Sequence, residues 1–482
     1  MTLPDKTTRE REIKLSIPRN FRLPELSGTR LPLRILTSTY YDTEHYRLAQ
    51  AGITLRYRVE AGKGVWQVKL PRDMARLELE FRGDRKHPPD SLVKLLVAHL
   101  RSQPVRPIAK LRTRRTGIRV GAIKHPTADV VVDSIVALEG RRVMCHLYEV
   151  EVELIRGNEK DLRRIEKTLR ESGAQDGDSR PKVFQVLKLQ LPDSVSPVAP
   201  SAPASDHFKA LLRTQLKLIL SHDPGTRLGS EPEELHRMRV ATRRLRAYLR
   251  AAHSLLVPDW LEQVSAEVAW LGRSLGPVRD LDVLLGHLRR ECGTLRVPER
   301  RAFEGLMDRL QRDRMAARAT LLLALESDRY LALLERLETG IQLLAMGDGG
   351  NSLTHIAGAA FKKLRRVIKA QGLEARDTVL HQIRIKGKRA RYAAELAQTS
   401  VGKPAVRFLR QAKEFQDLLG ELHDAVVTEQ RLRKLLRQAH GRLAAFSLGR
   451  LIERQCERRR NVRAALPKAW AKLKKRGEKV WA

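Results

Sequence analysis

A duplicated helical motif is the feature of this sequence that most restricts its fold. The segment HRMRVATRRLR, which begins at His236, recurs 145 residues later as HQIRIKGKRAR, which begins at His381. A Leu-Gly pair follows each copy, at Leu275-Gly276 and at Leu419-Gly420. The repeat predicts that the C-terminal part of the chain consists of two similar helical bundles related by pseudo-twofold symmetry.

Each copy of the motif has the periodicity of an amphipathic helix. At about 100° per residue, the basic residues of the first copy fall on one face, and Met238, Ala241 and Leu245 fall on the other. One basic face is typical of a solvated helix, but two copies with the same cations at the same steps favour a binding surface for an extended polyanion. The residues predicted to form this surface are His236, Arg239, Arg243, Arg246, His381, Arg384, Lys388 and Arg391.

The composition indicates what kind of polyanion this would be. The 482 residues carry a formal net charge of +37 and have a sequence pI near 10.7, so we expect an acidic partner. Aromatic residues make up only 5% of the chain and do not alternate with the basic residues, which argues against the base-stacking surfaces of nucleic-acid-binding proteins. A phosphate polymer without bases therefore fits better than nucleic acid.

The chain divides at a segment rich in Pro, Ser and Ala. Residues 191–206 are predicted to be an interdomain linker. Helical periodicity dominates residues 207–482, with repeat halves at about 207–350 and 351–482, whereas residues 1–190 alternate with the period of two that is typical of strands. We therefore predict an α+β multidomain protein.

Targeting signals and cysteine usage indicate a cytoplasmic protein. The N-terminal residues lack the apolar core of a signal peptide, and charges interrupt the Leu-rich stretch from Leu321 to Leu344, so no membrane span is predicted. Cys145, Cys292 and Cys456 match no metal-ligand spacing, and buried thiols are their expected role. The sequence does not require a protein partner.

Six predicted strands place ionised side chains on one face and mostly apolar side chains on the other. Three are rich in acidic residues and three in basic residues, a division that a solvated surface does not require. If the charged faces converge in a closed antiparallel barrel, the lumen holds opposed carboxylates and cations, and the apolar faces pack against helices such as one within Lys160–Ser172. The strands are centred on residues 10–15, 55–59, 66–70, 77–81, 112–114 and 149–154.

Such a lumen has the groups that phosphoryl transfer requires. Carboxylates at positions i and i+2 of a strand point the same way, so two acidic strands can hold one or two hard divalent cations. Arg and Lys on the other strands would neutralise and orient phosphates. Phosphoryl transfer depends on electrostatics and in-line geometry more than on a protein nucleophile, so this equipment is sufficient.

The N-terminal motifs resemble those of the CYTH, or triphosphate tunnel metalloenzyme, family over about residues 8–190. Glu10-x-Glu12-x-Lys14 resembles the ExExK signature, and four motifs follow in the family's order: YYDT from Tyr40, GIxLRxR from Gly52, RxExE from Arg76 and ExExE from Glu149. The resemblance implies an eight-stranded antiparallel tunnel and hydrolysis of triphosphates that depends on Mg²⁺ or Mn²⁺. Cyclases and thiamine triphosphatases are relatives within the family.

The resemblance also implies roles for individual residues. The implied metal ligands are Glu10, Glu12, Glu151 and Glu153, and the implied phosphate-binding residues are Lys14, Arg56, Arg58, Lys69, Arg112, Arg114 and Lys182. Glu10, Glu12, Lys14, Arg56 and Arg58 are the predicted catalytic residues. The family pattern does not decide whether Glu149 replaces one of the other glutamates of its strand as a ligand. Asp133 either adds a metal contact or ends a strand.

The helical region resembles the CHAD domain over about residues 207–482. The resemblance rests on the paired His-x-x-Arg helices and on the stretch LGxxRDxD from Leu275, which LGELHD from Leu419 echoes imperfectly. His423 takes the position of Arg279 and Val426 that of Asp282, so only Asp280 and Asp424 are equivalent acidic residues. The resemblance implies polyphosphate binding without catalysis.

Together these observations predict a phosphoanhydride hydrolase that acts on inorganic triphosphate (tripolyphosphate or short polyphosphate) and is joined to a polyphosphate-binding domain. One alternative is a non-catalytic polyphosphate-binding protein whose barrel only holds phosphate. Another is a thiamine triphosphatase or adenylate cyclase of the same tunnel family. A nucleic-acid-binding protein is a third alternative, which the net charge favours and the few aromatic residues disfavour.

Overall fold

The chain forms two compact units, Met1–Ser194 and Val195–Ala482. A computed structural model describes residues 4–72, 75–178, 180–189, 198–199, 201–293, 296–344, 353–437 and 441–481. Half of the predicted linker, residues 191–206, lies outside these ranges, and the helix that follows it already begins at Ala204. Within the described ranges no helix combines the length and the hydrophobicity that crossing a bilayer requires.

The N-terminal unit is built on one antiparallel sheet, which has ten strands among the described residues. The strands are β1 (Lys6–Glu10), β2 (Glu12–Ser16), β3 (Gly28–Asp42), β4 (Thr54–Glu60), β5 (Lys63–Arg72), β6 (Ala75–Phe81), β7 (Arg106–Ala122), β8 (His125–Glu139), β9 (Arg142–Leu154) and β10 (Gln175–Asp176). The helices of this unit are α1 (Arg47–Gln50), α2 (Asp90–Leu100), α3 (Glu159–Glu171) and α4 (Lys182–Val186).

The order of the strands corrects the prediction of a closed eight-stranded barrel. They pair in the order β1-β6-β5-β4-β3-β7-β8-β9-β2-β10, which is an open sheet. β1 pairs with β6 up to Glu10, and β2 pairs with β9 from Glu12 onward, so the chain changes partners at Arg11. The ladder is open because β1 and β2, although consecutive along the chain, pair with different strands and not with each other. The N-terminal segment nevertheless begins at one edge of the sheet, as β1, and continues as β2 next to the edge strand β10 on the other side.

The apolar face of the sheet forms the core of this unit. Val150 and Val152 of β9 alternate with the glutamates and pack in one cluster with Leu162, Ile165 and Leu169 of α3. An Asn158 side chain that accepts from the backbone N–H groups of Lys160 and Asp161 caps this helix, as is typical of helix N-termini. The helix predicted within Lys160–Ser172 is therefore α3, and the charged face of β9 is left to line the interior.

The second unit is helical throughout its described residues, apart from short connections. Its helices are α5 (Ala204–Leu228), α6 (Pro232–Ala251), α7 (Pro258–Cys292), α8 (Val297–Glu326), α9 (Asp328–Leu343), α10 (Leu353–Gln371), α11 (Asp377–Leu396), α12 (Gln398–Val401), α13 (Lys403–Leu436) and α14 (Arg442–Trp481). A single 3₁₀ turn, His253–Leu255, follows α6.

The order of the helices shows the repeat that the sequence predicted. α11, α13 and α14 begin 145 residues after α6, α7 and α8, respectively. The contacts between the two halves include α6 with α11 and α8 with α14, which join equivalent helices as a pseudo-twofold relation requires. Other contacts, such as α5 with α11 and α7 with α14, join helices that are not equivalent. Met238, Ala241 and Leu245 of α6 are buried, as are Ile383 and Ala390 of α11, so both basic stripes are backed by core.

Trp66 allows a test of the core of the first unit. Its side chain is fully buried against Tyr41 and Tyr57, and its indole N–H donates to the carbonyl oxygen of Asp84 at 2.7 Å. We expect Trp66→Ala to destabilise this unit by about 3–5 kcal/mol, because it leaves a large cavity. Hydrogen exchange of β4, β5 and β6 measures the loss.

Ile123→Ala is the control for this experiment, because the Ile123 side chain is 84% exposed. It should change the free energy of unfolding by less than about 0.5 kcal/mol. Equal protection of the strands in the two variants would contradict the assigned core.

Candidate functional site

The charged faces of the strands enclose a cavity of about 210 Å³ in the N-terminal unit. Its lining is dominated by ionisable side chains, and helix α4 adds Lys182 to those of the sheet. The charged lining residues are Lys6, Glu12, Lys14, Arg34, Arg56, Arg58, Lys69, Arg76, Glu78, Glu80, Arg115, Glu151, Glu153 and Lys182. The lumen predicted from the strand alternation is therefore present, although the sheet around it is open.

Two carboxylates face each other across the β2–β9 pair at one side of the cavity. Glu12 is the register partner of Glu153, and Lys14 is the partner of Glu151. Directly opposed like charges repel each other at this spacing. Burial, and then Glu12, raise the pKa of Glu153, so the negative charge of this pair is incompletely neutralised. A hard divalent cation, which prefers carboxylate oxygens, fits this donor set.

Lys14 neutralises the remainder of this acidic face. Its Nζ lies 3.2 Å from Glu12 Oε1 and 3.0 Å from Glu151 Oε1. Although burial acts in the opposite direction, Glu151 and Glu12 hold the pKa of Lys14 well above its ordinary value. Lys14 is therefore a permanent cation between the glutamates.

The basic strands β4 and β5 carry their own counter-ion, Glu78 of β6. Its carboxylate lies 3.0 Å from Lys69 Nζ and 3.6 Å from a guanidinium nitrogen of Arg56. Burial opposes its ionisation, but Lys69 and Arg56 lower the pKa of Glu78 to about 2. Gln67 links this group by accepting from Arg56 Nε at 2.8 Å and donating to Glu78 at 3.0 Å. Glu78 thus fixes the cations of this face.

A third cluster contains three buried carboxylates, those of Asp133, Glu149 and Glu151, with oxygens within 4.8 Å of one another. Arg115 donates to Asp133 Oδ1 at 2.7 Å and to Glu151 Oε2 at 2.5 Å, and Lys182 lies 2.8 Å from Glu149. Lys182 also contacts Asp133. Burial, together with Glu151, raises the pKa of Glu149 to about 7 in spite of Lys182.

These contacts define the surroundings of Asp133 and Glu149, whose roles the sequence left open. Asp133 is a fully buried strand residue whose partners are Arg115 and Lys182, and it does not line the cavity. Glu149 shares the acidic cluster with Glu151 but is also absent from the cavity lining, whereas Glu151 and Glu153 line it. The geometry therefore favours Glu151 and Glu153, and not Glu149, as the residues of β9 that could bind a metal ion in the cavity.

Several other residues of the predicted site also lie together. Glu12, Lys14, Arg56, Arg58, Lys69 and Lys182 line the cavity with Glu151 and Glu153. Glu10 ends β1 opposite Arg76, but its side chain lies outside the described part of the structure.

Arg112 and Arg114 are placed differently from the prediction. Both are exposed on the outer face of β7, whereas Leu111, Thr113 and Arg115 line the cavity. The prediction chose the wrong face because three of the four residues from Arg112 to Arg115 are arginines, so both faces carry one. The buried Leu111 and Thr113 are the signal that identifies the inner face. Lys6, Arg34, Arg76, Glu78 and Glu80 were also missing from the predicted site.

In the helical unit, the basic stripes of α6 and α11 meet. Burial, followed by the nearby charges of Arg243 and Arg384, lowers the pKa of Lys388 to about 7. The Nε of Arg384 is buried without a hydrogen-bond partner among the described residues. Among the groups around Lys388, Asp424 is an acidic one, so cations outnumber carboxylates at this crossing.

A histidine begins each basic stripe, and the surroundings of His236 and His381 differ. His381 Nδ1 lies 3.3 Å from Nδ1 of His423, and the two rings are 4.6 Å apart. His236 instead has Arg279 near it, at the repeat position of His423. Burial and neighbouring arginines lower the pKa of His236 and of His381, so both rings are neutral near pH 7. We name His236, Arg239, Arg243, His381, Arg384, Lys388 and His423 the histidine-arginine cluster.

Two of the predicted polyanion-binding residues have partners or charged neighbours outside this cluster. Arg391 donates to Glu395 at 3.1 Å and to Gln416 at 2.9 Å, so its guanidinium is used within the domain. Arg246 has Arg250 and Arg273 as its charged neighbours. Arg239, within the cluster, donates to Asp280 at 2.9 Å.

The face of β7 can be tested by comparing Arg115→Gln with Arg114→Gln. Arg115→Gln should lower the free energy of unfolding by about 3 kcal/mol, because it leaves Asp133 and Glu151 with less compensation for their buried charge. Arg114→Gln, at an exposed position, should change it by less than about 0.5 kcal/mol. Denaturation monitored by hydrogen exchange of β7 and β8 gives both values, and a larger effect at Arg114 would reverse the assignment.

Comparison with known proteins identifies the same two regions. Two uncharacterised proteins of Mycobacterium tuberculosis, Rv2226 of strain H37Rv and MT2285 of strain CDC 1551, are each 29% identical over 480 residues, which cover 92% of this chain and 91% of the relative. A solved CHAD domain from the plant Ricinus communis is 26% identical, with a TM-score of 0.45, over 56% of this chain and 93% of that chain.

The N-terminal unit also has solved counterparts. A putative adenylyl cyclase from Hippeastrum, described as having a dominant triphosphatase activity, is 18% identical, with a TM-score of 0.26, over 38% of this chain and 98% of that chain. Residues 8–183 match the CYTH domain, and residues 210–433 match the CHAD domain. The chain therefore contains a CYTH domain followed by a CHAD domain.

Proposed function

We propose that the CYTH domain hydrolyses inorganic triphosphate (tripolyphosphate or short polyphosphate) with a divalent metal ion, and that the CHAD domain binds inorganic polyphosphate. The observation that carries the first part is the pair Glu12 and Glu153, which face each other in a cavity that nine Lys and Arg side chains also line. The relationship to a family that includes triphosphatases, and the activity described for the Hippeastrum protein, support the same reaction.

The cations of the cavity would hold the phosphate chain. Arg56, Arg58 and Lys69 are mostly withdrawn from solvent, with 15–19% of each side chain exposed, so their attraction for phosphate oxygens is stronger than on an open surface. Glu78 and Gln67 fix the positions of Arg56 and Lys69 before substrate arrives. Such fixed charges stabilise a transition state without reorganising during the reaction.

Glu12, Glu151 and Glu153 are the residues that would hold the metal ion. A bound Mg²⁺ or Mn²⁺ would supply Lewis-acid stabilisation of charge on the phosphate oxygens. Lys14, between Glu12 and Glu151, orients the two carboxylates and reduces their mutual repulsion. The acidic and basic walls thus divide the work of holding one charged chain.

The size of the cavity favours an inorganic substrate. Its volume of about 210 Å³ is smaller than the roughly 300–1,000 Å³ of sites that enclose drug-sized ligands. The lining is mostly charged, and Tyr40 is its single aromatic residue in the described part of the sheet. A chain of phosphates without a nucleoside or thiamine group matches this space better than ATP or thiamine triphosphate.

The acidic pair provides the test of catalysis. We expect Glu153→Gln and Glu12→Gln each to lower kcat for tripolyphosphate by roughly 100-fold or more, because each removes one hard-metal ligand. Phosphate release in the presence of Mg²⁺ or Mn²⁺ measures the rate. Glu139→Gln, on an exposed residue of the same domain, is the matched control and should retain the parental rate.

A substrate panel separates the alternatives. Tripolyphosphate, ATP, thiamine triphosphate and long-chain polyphosphate would be tested with each metal. Preferred cleavage of thiamine triphosphate, or formation of cyclic AMP from ATP, would replace the proposed substrate. Binding of tripolyphosphate without phosphate release from any compound would establish the non-catalytic alternative.

The CHAD domain supports polyphosphate binding through its excess of cations. Arg243 and Lys388 form no ion pair among the described residues, and the buried Nε of Arg384 lacks a partner. An extended polyanion would neutralise several of these groups at once and release its condensed counter-ions. Because the basic stripes of two equivalent helices meet, the surface is long enough for an extended polyanion and longer than a small anion requires.

A charge-reversal variant tests whether this surface is specific. Changing Arg239, Arg243, Arg384 and Lys388 to Glu should reduce binding of long-chain polyphosphate at least 100-fold, since each phosphate contact adds to a salt-dependent attraction. The protein should stay folded because the opposite helix faces supply the packing. Calorimetry on a Glu153→Gln background avoids hydrolysis.

The matched control reverses Arg300, Arg312, Arg407 and Lys413, four exposed cations of the same unit. This control has the same net charge as the test variant. Equal losses in the two proteins would mean that binding reflects net charge alone.

Binding should also depend on pH. The pKa of Lys388 is about 7 in the protein without ligand, and a bound polyanion would raise it. Above pH 7 the complex therefore holds more protons than the unbound protein. Affinity should therefore fall as pH rises from about 7, and protonation of His236 and His381 should strengthen binding at acidic pH. Calorimetry at several pH values measures this dependence.

Lys388→Arg keeps the positive charge at all these pH values. It should bind polyphosphate with little change between pH 7 and 9. A fall in affinity as steep as that of the parent protein would assign the pH dependence to another group.

A further inference from the structure

A second, larger cavity of about 850 Å³ lies within the helical unit. Its walls come from the C-terminal part of α6, the beginning of α7, the beginning of α10 and the C-terminal part of α11. The repeat counterparts of α7 and α10 do not line it, so this cavity is not a product of the duplication. It has the volume of sites that enclose small molecules, roughly 300–1,000 Å³.

The floor of this cavity is apolar and made largely of short side chains. Five alanines line it, including Ala247, Ala359 and Ala360, together with Leu261, Ile356 and Ile385. Ala359 and Ala360 are half-buried and Ile385 is exposed, so apolar surface remains open to a ligand. Covering such surface with another apolar group is favourable in proportion to the area removed from water.

The cations around this floor form no ion pairs within the described part of the chain. Seven Lys and Arg side chains line the cavity, among them Arg246, Arg250 and Lys363, and none of the lining residues is Asp or Glu. None of the seven forms an ion pair with another described residue. Arg250 and Arg246 also stand close enough to repel each other. The cavity therefore combines uncompensated positive charge with an apolar floor.

We propose that this cavity binds a small amphiphilic anion, with an aliphatic chain on the alanine floor and an acidic head group among the arginines and lysines. Inorganic polyphosphate satisfies only the cations, because it has no apolar part to cover the floor. A nucleobase is a poorer match, since Tyr392, the one Phe, Tyr or Trp of the lining, is buried, and apart from His253 and His355 the uncharged polar side chains are those of Ser254, Ser265 and Tyr392.

This cavity is a different surface from the histidine-arginine cluster, although Arg243 and Lys388 belong to both. Arg250, Lys363 and the alanine floor belong to the cavity alone. In the cluster, Asp280 and Asp424 accompany the cations, whereas the cavity has no carboxylate on its lining. Variants at Arg250 and Ala359 therefore test the amphiphile site without altering the proposed polyphosphate-binding residues.

The experiment titrates the full chain with hexyl, octyl, decyl and dodecyl phosphate below their micelle concentrations, using calorimetry. Affinity should rise with chain length by up to about fourfold for each added methylene, because each one covers further apolar surface. Dodecyl maltoside, which has the same chain with a neutral head group, should bind at least tenfold more weakly than dodecyl phosphate.

Ala359→Leu, which fills the floor, and Arg250→Gln, which removes one cation, should each lower the affinity for dodecyl phosphate at least fivefold. Ala319→Leu and Arg300→Gln, at exposed positions on α8, are the matched controls and should leave it unchanged. Binding of long-chain polyphosphate should persist in all four variants. Thermal melting shows whether Ala359→Leu is folded, and Arg250→Gln provides the test if it is not.

Three outcomes would overturn the proposal. Affinity that does not depend on chain length would mean that the floor takes no part. Equal binding of dodecyl maltoside would mean that the cations take no part. Unchanged affinity in folded Ala359→Leu and in Arg250→Gln would place the alkyl phosphate elsewhere.

Discussion

The N-terminal unit depends on the compensation of charges that its sheet turns inward. An ionised side chain withdrawn from water is costly unless a partner of opposite charge lies beside it. Lys14 lies between Glu12 and Glu151, and Glu78 forms ion pairs with Lys69 and Arg56. Arg115 and Lys182 form ion pairs with the other buried carboxylates. In the cavity lining, Glu12 directly faces Glu153 across the β2–β9 pair, and this like charge helps to raise the pKa of Glu153. A cation bound there, as proposed, would offset both carboxylates.

The alternation of charged and apolar residues was enough to predict the inward faces of β2, β4, β5, β6 and β9. It failed for β8, where Val130, Val131 and Val132 follow one another and no period of two is visible. It also failed at Arg112–Arg115, since arginines occupy both faces. There the inner face is decided by long-range pairing, because Arg115 is the register partner of Asp133 on β8. Apart from Leu111 and Thr113, which share the face of Arg115, the local sequence does not contain that information.

The duplication made the helical unit more predictable than the sheet. Helices that begin at equivalent positions and bury equivalent stripes follow from the repeat itself. What the repeat could not predict are contacts with residues outside the motif. Arg391 fits the basic stripe by periodicity, yet Glu395 and Gln416 take its hydrogen bonds. The two histidine sites also diverged, since His381 meets His423 where His236 meets Arg279.

The three charged regions differ most in how their cations are balanced. The CYTH cavity mixes carboxylates and cations, so it suits an anion that arrives with a metal ion. At the histidine-arginine cluster, two acidic neighbours leave a net positive surface, which suits a long anion that needs no metal. The alanine-floored cavity has cations alone around apolar surface, so charge attracts its ligand and hydrophobic burial selects it. In the functions proposed above, net charge attracts anions to all three regions, and the local counter-ions and the neighbouring apolar area would determine which anion each region retains.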